Sequence, residues 1–267
     1  MPDPYSSAVL SAKLRGFYAS QVANPNAADR RVTAAFAAVP REPFAGPGPW
    51  SILTAHVWQS QDRGPLYVTT PVDDPAFLYQ DVLVALDAAR GINIGQPSLH
   101  ALCLDALAPR PGETVVRVGT GSGYYTALLA HLVGPDGLNA GAPRPARAWL
   151  DALRPAGRLL FPLQAANRRG GMLLLRRATG EAAWPARFVS MASFIPFQGM
   201  SEAGEVGLSN AFAQGPLAAV RSIHFDAPPD ASCWHDGGDW CLSTHEASRG
   251  WCLVLHIGPG TTCRLLG

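Results

Sequence analysis

Five small residues, Gly119-Thr120-Gly121-Ser122-Gly123, follow the β-branched run Val115-Val116-Arg117-Val118 and precede an apolar stretch from Tyr124 to Leu132. This order predicts a strand, a loop and the start of a helix, the opening of a nucleotide-binding α/β unit. Glycines let the backbone turn sharply and approach a ligand that side chains would keep away. The spacing is G-x-G-x-G and no Lys-Ser/Thr pair follows, so the loop is not a phosphate-cradling P-loop. It suits an adenosyl ligand without a phosphate chain, with the amino-acid end of S-adenosylmethionine over the glycines. A glycine-rich turn in an unrelated α/β protein is the competing reading.

Methyl transfer from a sulfonium is an in-line displacement, in which the protein holds acceptor and methyl group together and excludes water. A carboxylate acceptor needs no general base. An amine or hydroxyl acceptor does, and His100 is then the first candidate, its alternative being a partly buried helix histidine. A second cluster lies near the C-terminus, where Cys233-x-His235, Cys241-x3-His245 and Cys252-x3-His256 stand near Asp236 and Asp239. A zinc site would need four such ligands converging on a tetrahedron. No Cys-x2-Cys is present, and the stretches 239–243 and 250–257 read as strands in which Trp and Cys are ordinary core residues. The expectation is therefore no metal, with Trp234, Trp240 and Trp251 in a core rather than on a partner-binding patch.

These residues must be positioned by a chain of 267 residues, 48% hydrophobic, with a formal net charge of +1. That length suits an α/β domain with a smaller appendage, and the near-neutral charge points to neither nucleic acid nor an anionic membrane surface. No apolar run approaches a membrane span, and the start Met1-Pro2-Asp3-Pro4 lacks a basic, apolar signal core, so a cytoplasmic protein is expected. The five cysteines are odd in number and mostly late in the chain, which argues against a disulfide framework. In order, the pattern predicts a helix over 5–23 and a second from Arg30 to Val39 capped by Asp29. A short strand is expected at 66–70, and a strand or helix at 78–86. A helix over 98–107 starts behind Pro97. Further on come a helix near 146–153, a strand at 158–163 and an antiparallel pair at 172–176 and 186–197.

Several blocks, in order, resemble protein-L-isoaspartate O-methyltransferases and their bacterial relatives. Arg31-Val32 through Val39-Pro40-Arg41-Glu42-Pro43-Phe44 is similar to the family's helix and "VPRE-x-F" loop. Tyr79-x-Asp81, followed by Asn93-Ile94-Gly95-Gln96-Pro97, resembles its "TISQP" approach to the cofactor. Val118 to Tyr124 is similar to the strongest family motif. Asn139-Ala140-Gly141-Ala142-Pro143 resembles the "AAAP" loop, Leu153 to Leu159 the "LKPGGRL" turn, and Phe194-Ile195-Pro196-Phe197 the "FVPL" segment.

The resemblance implies an S-adenosylmethionine-dependent methyltransferase with a seven-stranded Rossmann-like sheet, acting on a carboxylate of a protein, peptide or small molecule. By position, Gly119, Thr120, Gly121, Ser122 and Gly123 would line the methionine end of the cofactor. Asn93, Ile94, Gly95, Gln96 and His100 would lie over the reacting centre, with Asn93, Gly95 and His100 closest to the chemistry. Asn139 and Gln198 would complete the cofactor site.

Two departures stand out. Gly95 occupies the place of the family's active-site serine, which separates isoaspartyl repair from methyl transfer in general. The turn at 134–137 runs directly into 138–141, the end of the family's strand 4, so the segment carrying the ribose carboxylate and adenine loop is missing. A helix that crosses right-handedly to strand 2 would cross left-handedly to strand 4, which is rare. The core must then rearrange, lose strand 4, or belong to a damaged or incomplete gene product. The expected organisation is an N-terminal helical arm (1–29), an incomplete Rossmann-like α/β core (30–198) and a mainly β extension (199–267). A non-catalytic binding module that has lost the cofactor is the alternative from another class.

Overall fold

The computed structural model describes residues 7–54, 67–118, 121–134, 139–142, 150, 153–165, 167, 169–178, 183–192, 205–225, 229–238 and 240–247. The chain forms two compact units: residues 1–152 with 192–200, and residues 153–191 with 201–267. Residues 1–29, expected as an arm, fall in the first unit, and residues 153–191, expected within the core, fall in the second.

In the first unit, α1 (Ser7–Tyr18) continues into one π turn (Ala19–Ala23) and packs on α2 (Arg30–Ala38). Asp29 caps α2 as expected, its Oδ1 accepting from the Arg31 N–H at 2.9 Å. After the short helix α3 (Glu42–Ala45) come β1 (Ser51–Thr54), β2 (Val68–Thr69), β3 (Val82–Asp87) and β4 (Ile92–Asn93), paired antiparallel in the order β2-β1-β3-β4. The ambiguous 78–86 stretch thus divides into a turn up to Asp81 and the strand β3, whose first three residues are buried.

Helix α4 (Pro97–Leu107) starts on Pro97, where a missing N–H costs nothing, and ends on Ala108 in the left-handed region (φ 48°). Then β5 (Val115–Val118), α5 (Tyr124–Val133) and β6 (Asn139–Ala142) form one β-α-β unit. β5 and β6 run parallel, with Val115 opposite Asn139 and Val118 opposite Ala142. The strand that the missing segment put at risk is therefore kept and paired directly with the strand before the glycine loop. Among the described residues this two-stranded parallel sheet stands where seven strands were implied.

The core of this unit gathers Tyr18, Val22, Phe36, Leu78, Tyr79, Tyr124, Tyr125 and Leu128. At its centre is a charge: Arg41 is 1% exposed. Its Nη1 donates to the carbonyls of Leu78 and Gln80, and its guanidinium carbon lies 5.5 Å from the Tyr18 ring centroid and 5.4 Å from that of Tyr124. Carbonyl dipoles and ring faces replace the water a buried cation loses. The Arg41 N–H donates to the Tyr79 hydroxyl, which donates to the Glu42 carboxylate.

In the second unit, β7 (Arg158–Gln164), β8 (Gly170–Arg176) and β9 (Ala183–Met191) continue through β10 (Ser222–Phe225), β12 (Trp240–Ser243) and β11 (Cys233–Asp236) as one six-stranded antiparallel sheet. The antiparallel pairing of 172–176 with the strand from 186 is as expected, though that strand ends at Met191. Helix α6 (Glu205–Gln214) packs on β11 and was not foreseen. Phe188, Phe212 and Trp234 form an aromatic cluster with ring centroids 5.5–5.7 Å apart, so Trp234 is core, as is His235 at 5% exposure. The expected strand at 250–257 and the helix near 146–153 lie outside the described residues, Leu150 and Leu153 apart. No helix among the described residues is long and apolar enough to cross a membrane.

Replacing Arg41 with Met fills the same space but leaves the Leu78 and Gln80 carbonyls without donors. The expected cost is about 3 kcal/mol, seen as a lower urea midpoint with the circular dichroism of the native state retained.

Candidate functional site

The segment 91–100 and the first turn of α5 meet around one histidine. Asn93 folds the first: its Oδ1 accepts from the Gly95 N–H at 2.9 Å, while its Nδ2 donates to the Tyr67 hydroxyl (3.1 Å) and the Gly91 carbonyl (3.2 Å). Gly95 has φ +97°, a conformation that side-chain-bearing residues rarely adopt. Its carbonyl accepts from the Tyr125 hydroxyl at 2.9 Å, so both its polar backbone groups are held. A Cβ at this position would lie 2.6 Å from Nε2 of His100. The imidazole thus occupies the space of the side chain that residue 95 lacks.

His100 stacks on Tyr125, ring centroids 3.5 Å apart and planes 18° off parallel. Burial, then the charges of Arg117 and Arg41, hold its pKa down to about 3, so the ring is neutral at neutral pH. Burial raises the Tyr125 phenol well above its ordinary range and keeps it a donor. Arg117, on β5, lies 5.4 Å from the Tyr125 ring centroid.

Asp81 went unassigned in the sequence, although it lies in the Tyr79-x-Asp81 block. Its carboxylate accepts from Gln96 Nε2 (3.0 Å), Ser98 N (2.9 Å) and Ser98 Oγ (2.7 Å), and so holds the first turn of α4. Three donors and the positive helix end all favour this carboxylate. Gln96 is thereby committed to a protein partner. Ile94 is 7% exposed and packs in the core, its N–H donating to the Val84 carbonyl.

On the glycine loop, Gly121 (φ +54°) faces open space among the described residues, none of which has an atom within 4 Å of where a Cβ would sit. Gly123 (φ +91°) stands immediately before α5, its Cβ position 3.7 Å from the Phe44 ring. Ser122 Oγ is buried without a hydrogen-bond partner. Bare backbone open to a ligand, with an unsatisfied hydroxyl beside it, is what the polar end of a small cofactor would require, so these residues fit the group expected over the glycines. The side chain of Asn139 and all of Gly119, Thr120 and Gln198 lie outside the described residues. A hollow of about 260 Å³ lined by Arg31, Ala34, Pro111, His131, Leu132 and Gly134 sits at the other end of α5. Among the described residues no three His, Cys, Asp or Glu side chains are grouped to hold a metal ion.

Residues 20–142 match the family model described as protein-L-isoaspartate(D-aspartate) O-methyltransferase (PCMT). The protein-L-isoaspartate O-methyltransferase 2 of Anaeromyxobacter sp. (strain Fw109-5) is 33% identical over 168 residues, which cover 62% of this chain and 53% of that protein. A protein-L-isoaspartate O-methyltransferase of Methanopyrus kandleri is 48% identical over 52 residues, 20% of this chain and 23% of its own. Another, from Pelotomaculum thermopropionicum, is 26% identical over 188 aligned positions that take up 54% of this chain and 80% of the relative. That share of 267 residues is fewer than 188, so the relative carries residues in the aligned span with no counterpart here. The chain spans about half the length of the first of these relatives and less of the second. Over residues 20–142 it is protein-L-isoaspartate O-methyltransferase-like.

Gly95→Ser is expected to cost about 2–4 kcal/mol, from a positive φ and from the clash with His100. Adding His100→Ala should return only the clash part, a non-additivity measurable by a double-mutant cycle in urea. His100 also sets a pH dependence. The unfolded imidazole takes up its proton near pH 6.5 and the folded one not until about 3. Between these values the unfolded chain binds the extra proton, so stability falls as pH drops from 6.5 towards 3. His100→Gln should flatten that fall, measured as urea midpoints at pH 7 and pH 4.5.

Proposed function

We propose that this protein is an S-adenosylmethionine-dependent methyltransferase, similar to protein-L-isoaspartate O-methyltransferases, acting on a carboxylate of a protein, peptide or small molecule. The observation that carries the reading is Gly121, bare and facing open space at the start of α5, inside the stretch that matches the family. Bound there, S-adenosylmethionine supplies an electrophilic methyl group on a positively charged sulfur.

The chain's own residues then have distinct parts. Gly119, Thr120, Gly121 and Gly123 bring main chain against the amino-acid end of the cofactor, and the free Ser122 hydroxyl offers a hydrogen bond. Asn139 and Gln198 complete the cofactor site, and Ile94 contributes backbone. Asn93 and Gln96, with Asp81, hold the 93–98 segment over the reacting centre. An ionised carboxylate acceptor would need no general base, so no residue of this chain would have to move a proton. His100, neutral, hydrogen-bonds the acceptor without repelling the methyl donor. The positive charges of Arg41 and Arg117 favour an anionic acceptor over an amine.

Calorimetric titration with S-adenosylhomocysteine tests the reading directly. Micromolar binding is expected, and no heat at millimolar ligand would leave a non-catalytic module. Gly121→Asn should weaken binding tenfold or more at a modest cost in urea midpoint, because asparagine tolerates φ +54° better than other side chains and still fills the space beside the loop. Transfer of labelled methyl to isoaspartyl peptides and to other carboxylates then identifies the acceptor.

A further inference from the structure

The β11–β12 hairpin holds two of the five cysteines. Cys233 stands opposite Ser243, and a register shift follows it before His235 pairs with Leu242 and Asp236 with Cys241. In antiparallel pairing, residues two apart share a face. Ser243 and Cys241 therefore lie on one face, and Cys233, opposite Ser243, lies there too as the diagonal neighbour of Cys241. The sulfurs confirm the placement: Sγ of Cys241 is 2.7 Å from Sγ of Cys233. Non-bonded heavy atoms settle at about 3.5–4.0 Å, so the two thiols are closer than ordinary packing brings them.

The two differ in access. Cys233 is on an edge strand and half-buried, whereas Cys241, on the strand between β10 and β11, is 5% exposed. Both are thiols in this structure. The Cys241 thiol is pushed up by burial and by Cys233 beside it, so Cys241 is the weaker first nucleophile.

We propose that Cys233 and Cys241 form a reversible intrachain disulfide across the β11–β12 hairpin when the protein meets a low-molecular-weight disulfide. The Cys233 thiolate attacks one sulfur of the small disulfide, forming a mixed disulfide and expelling one thiolate, which takes up the proton that Cys233 lost. Cys241 gives up its proton and attacks Sγ of Cys233, forming the protein disulfide and releasing the second small thiol. Two protein thiols become one disulfide as one small disulfide becomes two thiols. This proposal is independent of the methyl-transfer reading.

The full chain is incubated natively with oxidised glutathione, its remaining thiols are alkylated, and it is digested without reduction. The tryptic peptide 222–249 contains Cys233 and Cys241 and no other cysteine. It is expected to be lighter by two hydrogens and unalkylated. Cleavage before Asp236 or Asp239 should leave its two halves joined until a reductant is added. The Cys241→Ser variant should stop at one glutathione on Cys233, and Cys103, buried and raised to about 12, should carry none. Alkylation of both cysteines after oxidation would overturn the proposal. So would their linkage to Cys252 or Cys263.

Discussion

The first unit depends on how it solvates the guanidinium of Arg41. An arginine cannot shed its charge on burial, so the fold must supply what water would have supplied. It does so at Nη1 with the carbonyls of Leu78 and Gln80 and elsewhere with the faces of Tyr18 and Tyr124, while Nε and Nη2 are buried without a hydrogen-bond partner. Those carbonyls belong to the turn immediately before Asp81, and Asp81 holds the first turn of α4. Tyr124 is the first residue of α5, directly after the glycine loop. Both halves of the candidate site are thus referred to one buried cation. The polar contacts are few and largely between elements distant in sequence, so each turn is placed by its partner rather than by its own composition.

Local signals were legible where one residue answers a local need. Asp29 meets unpaired N–H groups at the start of α2, Pro97 occupies the one helical turn that tolerates it, and the glycines after Val118 mark the turn into α5. The apolar run Met172 to Leu175, closed by Arg176, read as a strand paired with the stretch from 186. Arg41 and Asp81 were opaque for the same physical reason. A charged residue reads as surface unless its partners are known, and theirs stand 15 to 39 positions away in sequence. The direct pairing of β6 with β5 was hidden as well. Four-residue strands carry no mark of which neighbour they choose, and the handedness of the crossover argued against a direct step from β5 to β6.

The electrostatics of the site follow from crowding rather than from a dedicated acid–base pair. His100 is neutral because burial and two arginine charges oppose its protonation, and Tyr125 stays protonated because burial opposes its anion. A neutral imidazole stacked on a phenol presents a shaped, weakly polar wall. Such a wall suits chemistry in which a positive charge on sulfur disappears, since nothing nearby resists that loss. Tyr18 adds a point about extent. It lies before the stretch that matches the family, yet it is part of the cation's shell, so the helical N-terminus is structurally continuous with the matched residues.

The contact between residue 95 and the imidazole has a historical consequence. When one residue's missing side chain is another's resting place, the two positions constrain each other's evolution. A chain with glycine at 95 and histidine filling the gap accepts a serine there only through a destabilised intermediate, unless the ring at 100 moves or shrinks first. Whichever of the two positions changes first bears the strain.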